Sequence, residues 1–430
     1  QSMGITVGTR VAFLSPNDWR GLIFMYGLWR AGMVLVPVNV RNSPVLNAGI
    51  LRQHKPSAMV YHSQVTSLAA HVKEELHSLP QWCCLDRQDD ETPSLIDWMA
   101  PLGSIAKDLP NDPLTPWTLY STSGTTGSSK GVMHTHLSNY VTSVDMLFSM
   151  RAHEAKRHLV VAPMTHFAGS FIFALTMTGS THVLLDKADP LEILETIEKE
   201  KIQLLFLPPT VIYMLLASKK IKSFDYRTLE NFVYAAAPMA EEPLKQALRI
   251  FGPVMMNMYG QAEAIGPITS LSPTEHMQGE THASTNILRS IGSHSISRQV
   301  RVMREDGLWC ETGEPGEIVL RDWVSSAAYL EDEPASALVH RYGWYHTGDV
   351  GAMDQDGRIT LLDRKKDVII SGGFNIYSAG VEQALMTHPA VQEACVFGIP
   401  NDKWGESVHA VLELKPGCLV EAIELQSLVK

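Results

Sequence analysis

Through its first two-thirds the chain alternates short, nearly unbroken apolar runs with longer stretches whose apolar positions recur at helical spacing. Residues 18–31 form a largely apolar helical stretch closed by Gly32, and 33–39 is an apolar run of the kind found in a strand buried on both faces. Ser43 and Pro44 mark a helix start, with a capping hydroxyl followed by proline at the first helical position. The run 57–62 predicts another strand. Further on, 182–186 predicts a strand, and a helix from Asp189 and Pro190 to Lys201 starts in the same way. Strand 202–207, helix 209–217, strand 232–237, helix 241–251 and strand 254–258 then follow in turn. Apolar strands separated by helices imply parallel sheets covered on both faces, so this part of the chain is α/β.

From about residue 291 the pattern changes. Short strands at 300–304, at 316–321 and within 351–370 are separated by turn pairs, notably Asp306-Gly307 and Asp356-Gly357. This predicts a small β-rich subdomain over about 291–362. After Asp363 come a charged run (Arg364, Lys365, Lys366, Asp367), a glycine pair, a helix from 378 to about 388, and strands near 393–398 and 408–414. The expectation is a large domain over 1–362 and a small mobile α+β lid over 363–430. Residues 4–12 already read as the interior of a domain, so the sequence is expected to start mid-domain; a new helix begins at 420–429, so the lid is expected to be incomplete.

Composition narrows the function. The 430 residues suit two or three domains of roughly 150 residues each. Hydrophobic residues at 45% against charged ones at 19% allow a full core and argue against disorder. A net charge of −11 with no long Lys/Arg cluster makes nucleic acid or an anionic membrane an unsuitable partner. Any anionic ligand must therefore be held by local groups. Five scattered cysteines without a CxxC pair give no zinc or disulfide framework and fit a reducing, cytoplasmic setting. No apolar run reaches the roughly 18 residues of a membrane span.

The most informative segment is 121–131, Ser-Thr-Ser-Gly-Thr-Thr-Gly-Ser-Ser-Lys-Gly, between a strand at 117–120 and a helix at 137–150. Glycines allow successive N–H groups to turn inward as an anion-binding nest, hydroxyls add donors, and Lys130 adds a point charge. It is not a Walker A loop, since Lys130 is followed by Gly131. Gly/Ser/Thr composition alone would equally describe a flexible linker. Its position inside an α/β domain favours phosphate binding.

At this loop the chain resembles the adenylate-forming superfamily, in particular its acyl- and aryl-CoA ligases, and the resemblance runs in order along nearly the whole chain. It implies that Thr122, Ser123, Gly124, Thr125, Thr126, Gly127 and Lys130 hold the phosphates of ATP. Pro163 to Gly169 resembles the segment bordering the acyl pocket, with His166 beside the thiol tunnel. Ala236, Ala237 and Pro238 resemble the strand end that packs on adenine, where small residues admit a flat ring. Asn257-Met258-Tyr259-Gly260-Gln261-Ala262-Glu263 resembles the segment in which Asn reads the adenine amine, Tyr stacks on the ring, and Glu, with Thr126, holds Mg²⁺. Ala262 departs from the family, where a Thr is usual, and removes one hydroxyl contact to the α-phosphate. Tyr345 to Asp349 resembles the ribose motif, in which Asp349 bridges both hydroxyls. Asp363 resembles the hinge pivot and Arg364 the arginine that reaches the nucleotide. Gly372 and Gly373 resemble the stretch lining the pantetheine tunnel of CoA, though a plain turn would use the same residues. Thr126, Lys130, His166, Glu263 and Arg364 are thus the catalytic set that the resemblance implies. The late lysine of family members is not Lys430, which lies outside that motif.

The implied activity joins a carboxylic acid to AMP and then to the thiol of CoA, with ATP, Mg²⁺ and CoA as the small molecules required. Two alternatives stay open: loading of a carrier protein, and a catalytically impaired nucleotide-binding homologue, the latter suggested by Ala262. A homodimer is also left open. Phe206, Leu207, Pro208, Val211 and His166 hint at an apolar pocket for a fatty or aromatic acid. No G-x-G-x-x-G turn points to a dinucleotide enzyme.

Overall fold

Apolar β-rich runs in the first two-thirds of the chain assemble into two sheets, seen in a computed structural model that describes residues 6–76, 81–87, 92–98, 112–122, 130–279, 281–322 and 329–429. These divide into two compact units, the first made of 1–283, 295–298 and 322–339, the second of 284–294, 299–321 and 340–430.

In the first unit, β1 (Arg10–Leu14), β2 (Val34–Val38), β3 (Ala58–Tyr61), β4 (Trp82–Cys84), β5 (Pro116–Thr122) and β6 (Lys130–Thr135) form one sheet in the order β4-β3-β1-β2-β5-β6. Its pairings are parallel except for β5–β6, which run antiparallel. The helix starts read from the sequence are present. Ser43 accepts from the Leu46 N–H ahead of the helix Pro44–His54, and Asp189 accepts from the Glu192 N–H ahead of Pro190–Lys199. Each satisfies one of the orphan donors that every helix start exposes.

The second sheet of this unit contains β7 (Arg157–Val160), β8 (Thr181–Leu184), β9 (Leu204–Leu207), β10 (Asn231–Ala235), β11 (Met255–Gln261) and β12 (Ala264–Leu271), in the order β12-β11-β10-β9-β7-β8. Only β12 is antiparallel to its neighbour. Several boundaries differ from the sequence reading, two of them for a visible structural reason. β10 stops at Ala235 rather than 237 because Ala236 takes a left-handed backbone, φ 74°, which cannot continue a strand. β11 continues past 258 to Gln261 because it is half of a hairpin with β12.

The sheets share a core in which Phe13 and Trp117 from the first meet Val160 from the second and Phe173 from the helix Phe167–Thr176. Trp29 stacks on Trp117 at 4.9 Å and donates its indole N–H to the Trp117 carbonyl at 3.0 Å. Buried Asn17 adds a polar rivet. Its amide donates to the carbonyls of Val161, Ala162 and Leu185 (3.2, 3.1 and 2.9 Å), and its oxygen accepts from the Met164 N–H at 2.8 Å. One side chain after β1 thereby fixes the loop that leads to His166.

The second unit contains the β-rich part and the lid elements. Arg298–Met303 and Gly316–Asp322, all but the end residues Arg298 and Asp322 within this unit, lie side by side with Trp344–Met353, which also pairs with His340–Arg341 and Ile359–Arg364. The expected strand region 351–370 is therefore three strands, broken by a turn at Gly357 (φ 80°) and again before Ile369. Four further strands follow in the order Phe374–Ile376, Ile369–Ser371, Gly405–Leu414, Val391–Asn401. The helices Ser378–Leu385 and Ala422–Leu428 bring Leu385 and Leu425 to a small core with Ile369, Val391 and Val396. Among the described residues no helix is long and apolar enough to cross a membrane.

Replacing Asn17 with Leu leaves four backbone groups without their partner and is expected to cost about 3 kcal/mol. Urea unfolding measures it, and an unchanged midpoint would contradict the rivet.

Candidate active site

The phosphate-loop candidates sit on a hairpin. Thr122 and Lys130 pair as the last residues of the β5–β6 ladder, and the Thr122 hydroxyl donates to the Lys130 carbonyl at 3.4 Å. Ser123, Gly124, Thr125, Thr126 and Gly127 lie outside the described residues. The loop thus joins two antiparallel strands rather than running from a strand straight into a helix. The helix His136–Met150 begins only after β6, with a capping box between Thr135 and Ser138. Beneath the hairpin, buried His54 bonds through Nε2 to the Ser121 hydroxyl at 2.8 Å. Burial, with the Arg10 charge adding to it, holds this imidazole down to about 4, so it is neutral near pH 7. A Cβ on Gly131 would stand 2.7 Å from the His54 ring, which explains the glycine after Lys130.

The second element is the β11–β12 hairpin, whose turn holds Glu263. Gly260 is required there because a Cβ would run into the carbonyl oxygen of Gly266. The backbone on both sides of Glu263 is held by buried donors. His134 Nε2 donates to the Ala262 carbonyl at 2.7 Å. Arg298 donates through Nη1 to the Ala264 carbonyl at 3.0 Å and through Nη2 to that of Ile265, which also accepts from the Thr142 hydroxyl at 2.9 Å. Arg298 Nε lies 3.6 Å from Asp322 and 3.9 Å from Asp145, with all three side chains at 1% exposure or less. Two carboxylates beside one guanidinium offset the cost of burying that charge.

Near Glu263 the chain returns from a distance. Tyr329 bridges in backbone register to Val132, and the Leu330 N–H donates to the Gly131 carbonyl at 2.7 Å. The Tyr329 hydroxyl donates to Glu263 Oε1 at 3.2 Å, while Lys130 Nζ stands over its ring at 4.6 Å and lies 4.0 Å from Asp332. Neither Tyr329 nor Asp332 was singled out from the sequence. Their only signal is one aromatic and one acid on a chain segment far from the loop they serve.

The adenine candidates cluster at the ends of β10 and β11. Ala236, Ala237 and Pro238 are exposed just past β10, and the left-handed Ala236 costs about 1 kcal/mol in backbone strain. Such strain in a non-glycine residue motivates a functional reading. Asn257 is 7% exposed, and its Oδ1 lacks a hydrogen-bond partner among the described residues. A buried orphan acceptor is costly unless a ligand donor meets it. Tyr259 and Gln261 follow on the same strand, with side chains partly exposed.

His166 is the residue ahead of the buried helix Phe167–Thr176, with Nδ1 2.9 Å from the Thr165 hydroxyl. Burial, reinforced by the Arg41 charge, pushes it down to about 4, so it faces its surroundings as a neutral imidazole. Beside it Phe167 meets Phe206 edge-on at 5.3 Å, and Phe206 stacks on Phe171 at 5.3 Å. Leu207 and Val211 are buried in the same region.

In the second unit Asp349 lies opposite Arg364 in register, with Arg364 Nε 3.8 Å from Asp349 Oδ1. The approach to Asp349 is braced by Glu317, unremarked in the sequence, which accepts from the Gly348 N–H at 3.1 Å and pairs with His346 at 3.0 Å and Lys365 at 3.3 Å. Burial alone would raise this carboxyl, but the His346 hydrogen bond and the Lys365 charge outweigh it and hold it below the usual range. Asp363 is buried on the strand Ile359–Arg364 and accepts from the Ser378 hydroxyl at 2.8 Å, at the first residue of the next helix. Gly372 and Gly373 have φ 60° and 83°, the two left-handed positions of a tight hairpin turn. Turn geometry accounts for both glycines by itself.

A glycine- and hydroxyl-rich hairpin loop, a strained strand end, an orphan acceptor and a carboxylate in a braced turn are features that an adenylate-forming α/β enzyme would need. Comparison with known proteins agrees. The family model for AMP-binding enzymes matches residues 1–330, and that for the AMP-binding enzyme C-terminal domain matches 380–430. The feruloyl-CoA synthase of an Amycolatopsis species is 32% identical over 99% of this chain and 82% of that protein. The medium/long-chain-fatty-acid–CoA ligase FadD8 of Mycobacterium tuberculosis is 33% identical over 76% of this chain, a match spanning 57% of that relative. The solved amide bond synthetase McbA of Marinactinospora thermotolerans superposes with a TM-score of 0.90 at 28% identity, over 100% of this chain and 84% of that one. The chain belongs to the AMP-binding enzyme family, on its acyl-CoA ligase branch. ATP and CoA are the substrates of that branch.

The buried histidines give a sign for pH dependence. His54, His134 and His276 are each pushed down to about 4, burial being the largest cause, against about 6.5 in an unfolded chain. Stability from keeping them neutral is complete above pH 6.5 and is lost as pH falls toward 4. The melting temperature is expected to drop by several degrees from pH 7.5 to 5, and a flat profile would contradict these assignments.

Proposed function

We propose that the chain is an ATP-dependent carboxylic acid:CoA ligase that forms an acyl-AMP and passes the acyl group to the CoA thiol. The observation that carries the reading is the buried oxygen of Asn257, without a partner among the described residues, on the strand paired with the one that ends just before exposed Ala236. It suits the amine of an adenine laid flat on that strand end. Asp349 would take the ribose hydroxyls, Thr122, Ser123, Gly124, Thr125, Thr126, Gly127 and Lys130 the phosphates, and Arg364 the nucleotide. Tyr259, Gly260 and Gln261 complete the ring side, with Ala237 and Pro238.

In the first step a carboxylate oxygen attacks the α-phosphorus and the bond to pyrophosphate breaks. Charge builds on the departing group, where Lys130 stands ready as a point cation. Magnesium, when bound with the nucleotide, would neutralise part of that charge as a Lewis acid. Glu263 with Thr126 fits this role, since the ion commonly takes one or two protein carboxylates and completes its shell with phosphate and water. In the second step the thiol attacks the carbonyl of the mixed anhydride and AMP leaves. Neutral His166, Gly372 and Gly373 are our candidates for the thiol's path. We also propose that 363–430 turns as a lid about Asp363, which would exclude water from a readily hydrolysed intermediate.

The Phe167, Phe171 and Phe206 cluster favours an aromatic or fatty acid over a charged one. The buried thiols of Cys83, pushed up to about 12 by burial, and of Cys84 suit a reducing cytoplasm. A homodimer is compatible with the reading, and sizing in solution decides it.

Acid-dependent ATP–pyrophosphate exchange over aliphatic and aromatic acids tests the function, with thioester formation followed in parallel. Exchange with thioester is expected. Exchange without it moves the acceptor to a carrier protein, or to an amine as in the amide bond synthetase. Absence of exchange with every acid contradicts adenylation. Lys130→Ala is expected to lower exchange about 100-fold. Ala262→Thr, which restores a hydroxyl toward the α-phosphate, is expected to raise it, and a loss of rate would mean that the turn has no room for one.

A further inference from the structure

A lysine and a carboxylate that serve the same triphosphate face a problem before it arrives. Left to themselves, Lys130 and Glu263 are opposite charges on flexible stems and would pair, which would cancel the cation meant for phosphate and occupy the carboxylate meant for metal. Tyr329 stands at this point. Its ring takes the Lys130 ammonium at 4.6 Å, and its hydroxyl donates to Glu263 Oε1 at 3.2 Å. The phenol is rigid, and its backbone is pinned on both sides. It bridges to Val132, the Leu330 N–H bonds the Gly131 carbonyl at 2.7 Å, and the Tyr329 N–H bonds the Ser336 hydroxyl at 2.9 Å.

We propose that Tyr329 is a positioning residue that keeps Lys130 and Glu263 apart at a set spacing, parking the lysine on its ring while its hydroxyl aims the carboxylate. The inference rests on the reading of this site as a nucleotide site. A cation over a partly exposed ring is held more weakly than one bonded to phosphate, so an incoming nucleotide can take the lysine over. Asp332, 4.0 Å from Lys130 Nζ and 40% exposed, adds a solvated attraction on the outer side. The hydroxyl keeps its own task, because a hydrogen bond to a metal-holding carboxylate orients it for the ion.

The two contacts can be separated. Tyr329→Phe removes the hydroxyl and keeps the ring, and Tyr329→Leu removes both. ATP binding to the full chain is measured by titration calorimetry, with and without Mg²⁺, and melting temperature is followed alongside. For Tyr329→Phe, affinity without Mg²⁺ is expected to stay within about 2-fold, while the tightening that Mg²⁺ brings falls about 10-fold. Tyr329→Leu is expected to change ATP affinity without Mg²⁺ as well, and that extra change is expected to vanish in a Lys130→Ala background. A Tyr329→Phe protein with full Mg²⁺-dependent tightening overturns the proposal. So does an equal loss with and without Mg²⁺ that tracks melting temperature, because it would make the residue merely structural. If Tyr329→Leu does not fold, Tyr329→Phe alone decides. Wild-type protein that binds no ATP in either condition overturns the nucleotide site itself, and is thereby distinct from failure of the tyrosine's role alone.

Discussion

The turn between β11 and β12 has to hold still, and much of the first unit is arranged so that it does. Three carbonyls around Glu263, those of Ala262, Ala264 and Ile265, each receive a buried donor from His134, Arg298 or Thr142. His134 comes from β6 of the first sheet and Thr142 from the helix that follows it, so the strand carrying Lys130 and the turn carrying Glu263 are fastened together. The Arg298 guanidinium is tolerated in the interior because Asp145 and Asp322 flank it. His134 can donate without bringing a charge inside, since burial keeps it neutral. Gly260 lets the two strands close on the turn. The candidate site is in this sense a by-product of how two sheets are joined.

Much of the architecture was legible because its signals are local. Ser43 and Asp189 cap the helices they were expected to start, and the apolar runs became the parallel strands. The misses have physical causes too. β6 was overlooked because its six residues follow a loop rich in glycine and hydroxyls, and only its antiparallel pairing with β5 makes it a strand. The end of β10 was placed two residues late because nothing in the word Ala-Ala-Ala-Pro announces a left-handed alanine.

The candidate site can be read from sequence where side-chain chemistry is ordered along the chain, as at Asn257 to Glu263. It was not legible where distant residues supply the support. Tyr329 reaches Glu263 across 66 residues, and Asn17 reaches Leu185 across 168. Glu317, which steadies the approach to Asp349, reads in the sequence as an ordinary acid on a strand. The glycine pair 372–373 is the reverse case, since a turn suffices to explain what the resemblance assigned to a tunnel.

The central claim is that the chain seats an adenine nucleotide on the ends of β10 and β11, with the Asn257 oxygen accepting from the ring's exocyclic amine. The most direct measurement compares ATP with inosine triphosphate, which presents an oxygen where adenine has that amine, as the nucleotide in calorimetric binding. The account predicts binding of ATP at least about 10-fold tighter, because inosine would leave the buried acceptor facing another acceptor. Equal affinity for the two nucleotides would contradict it.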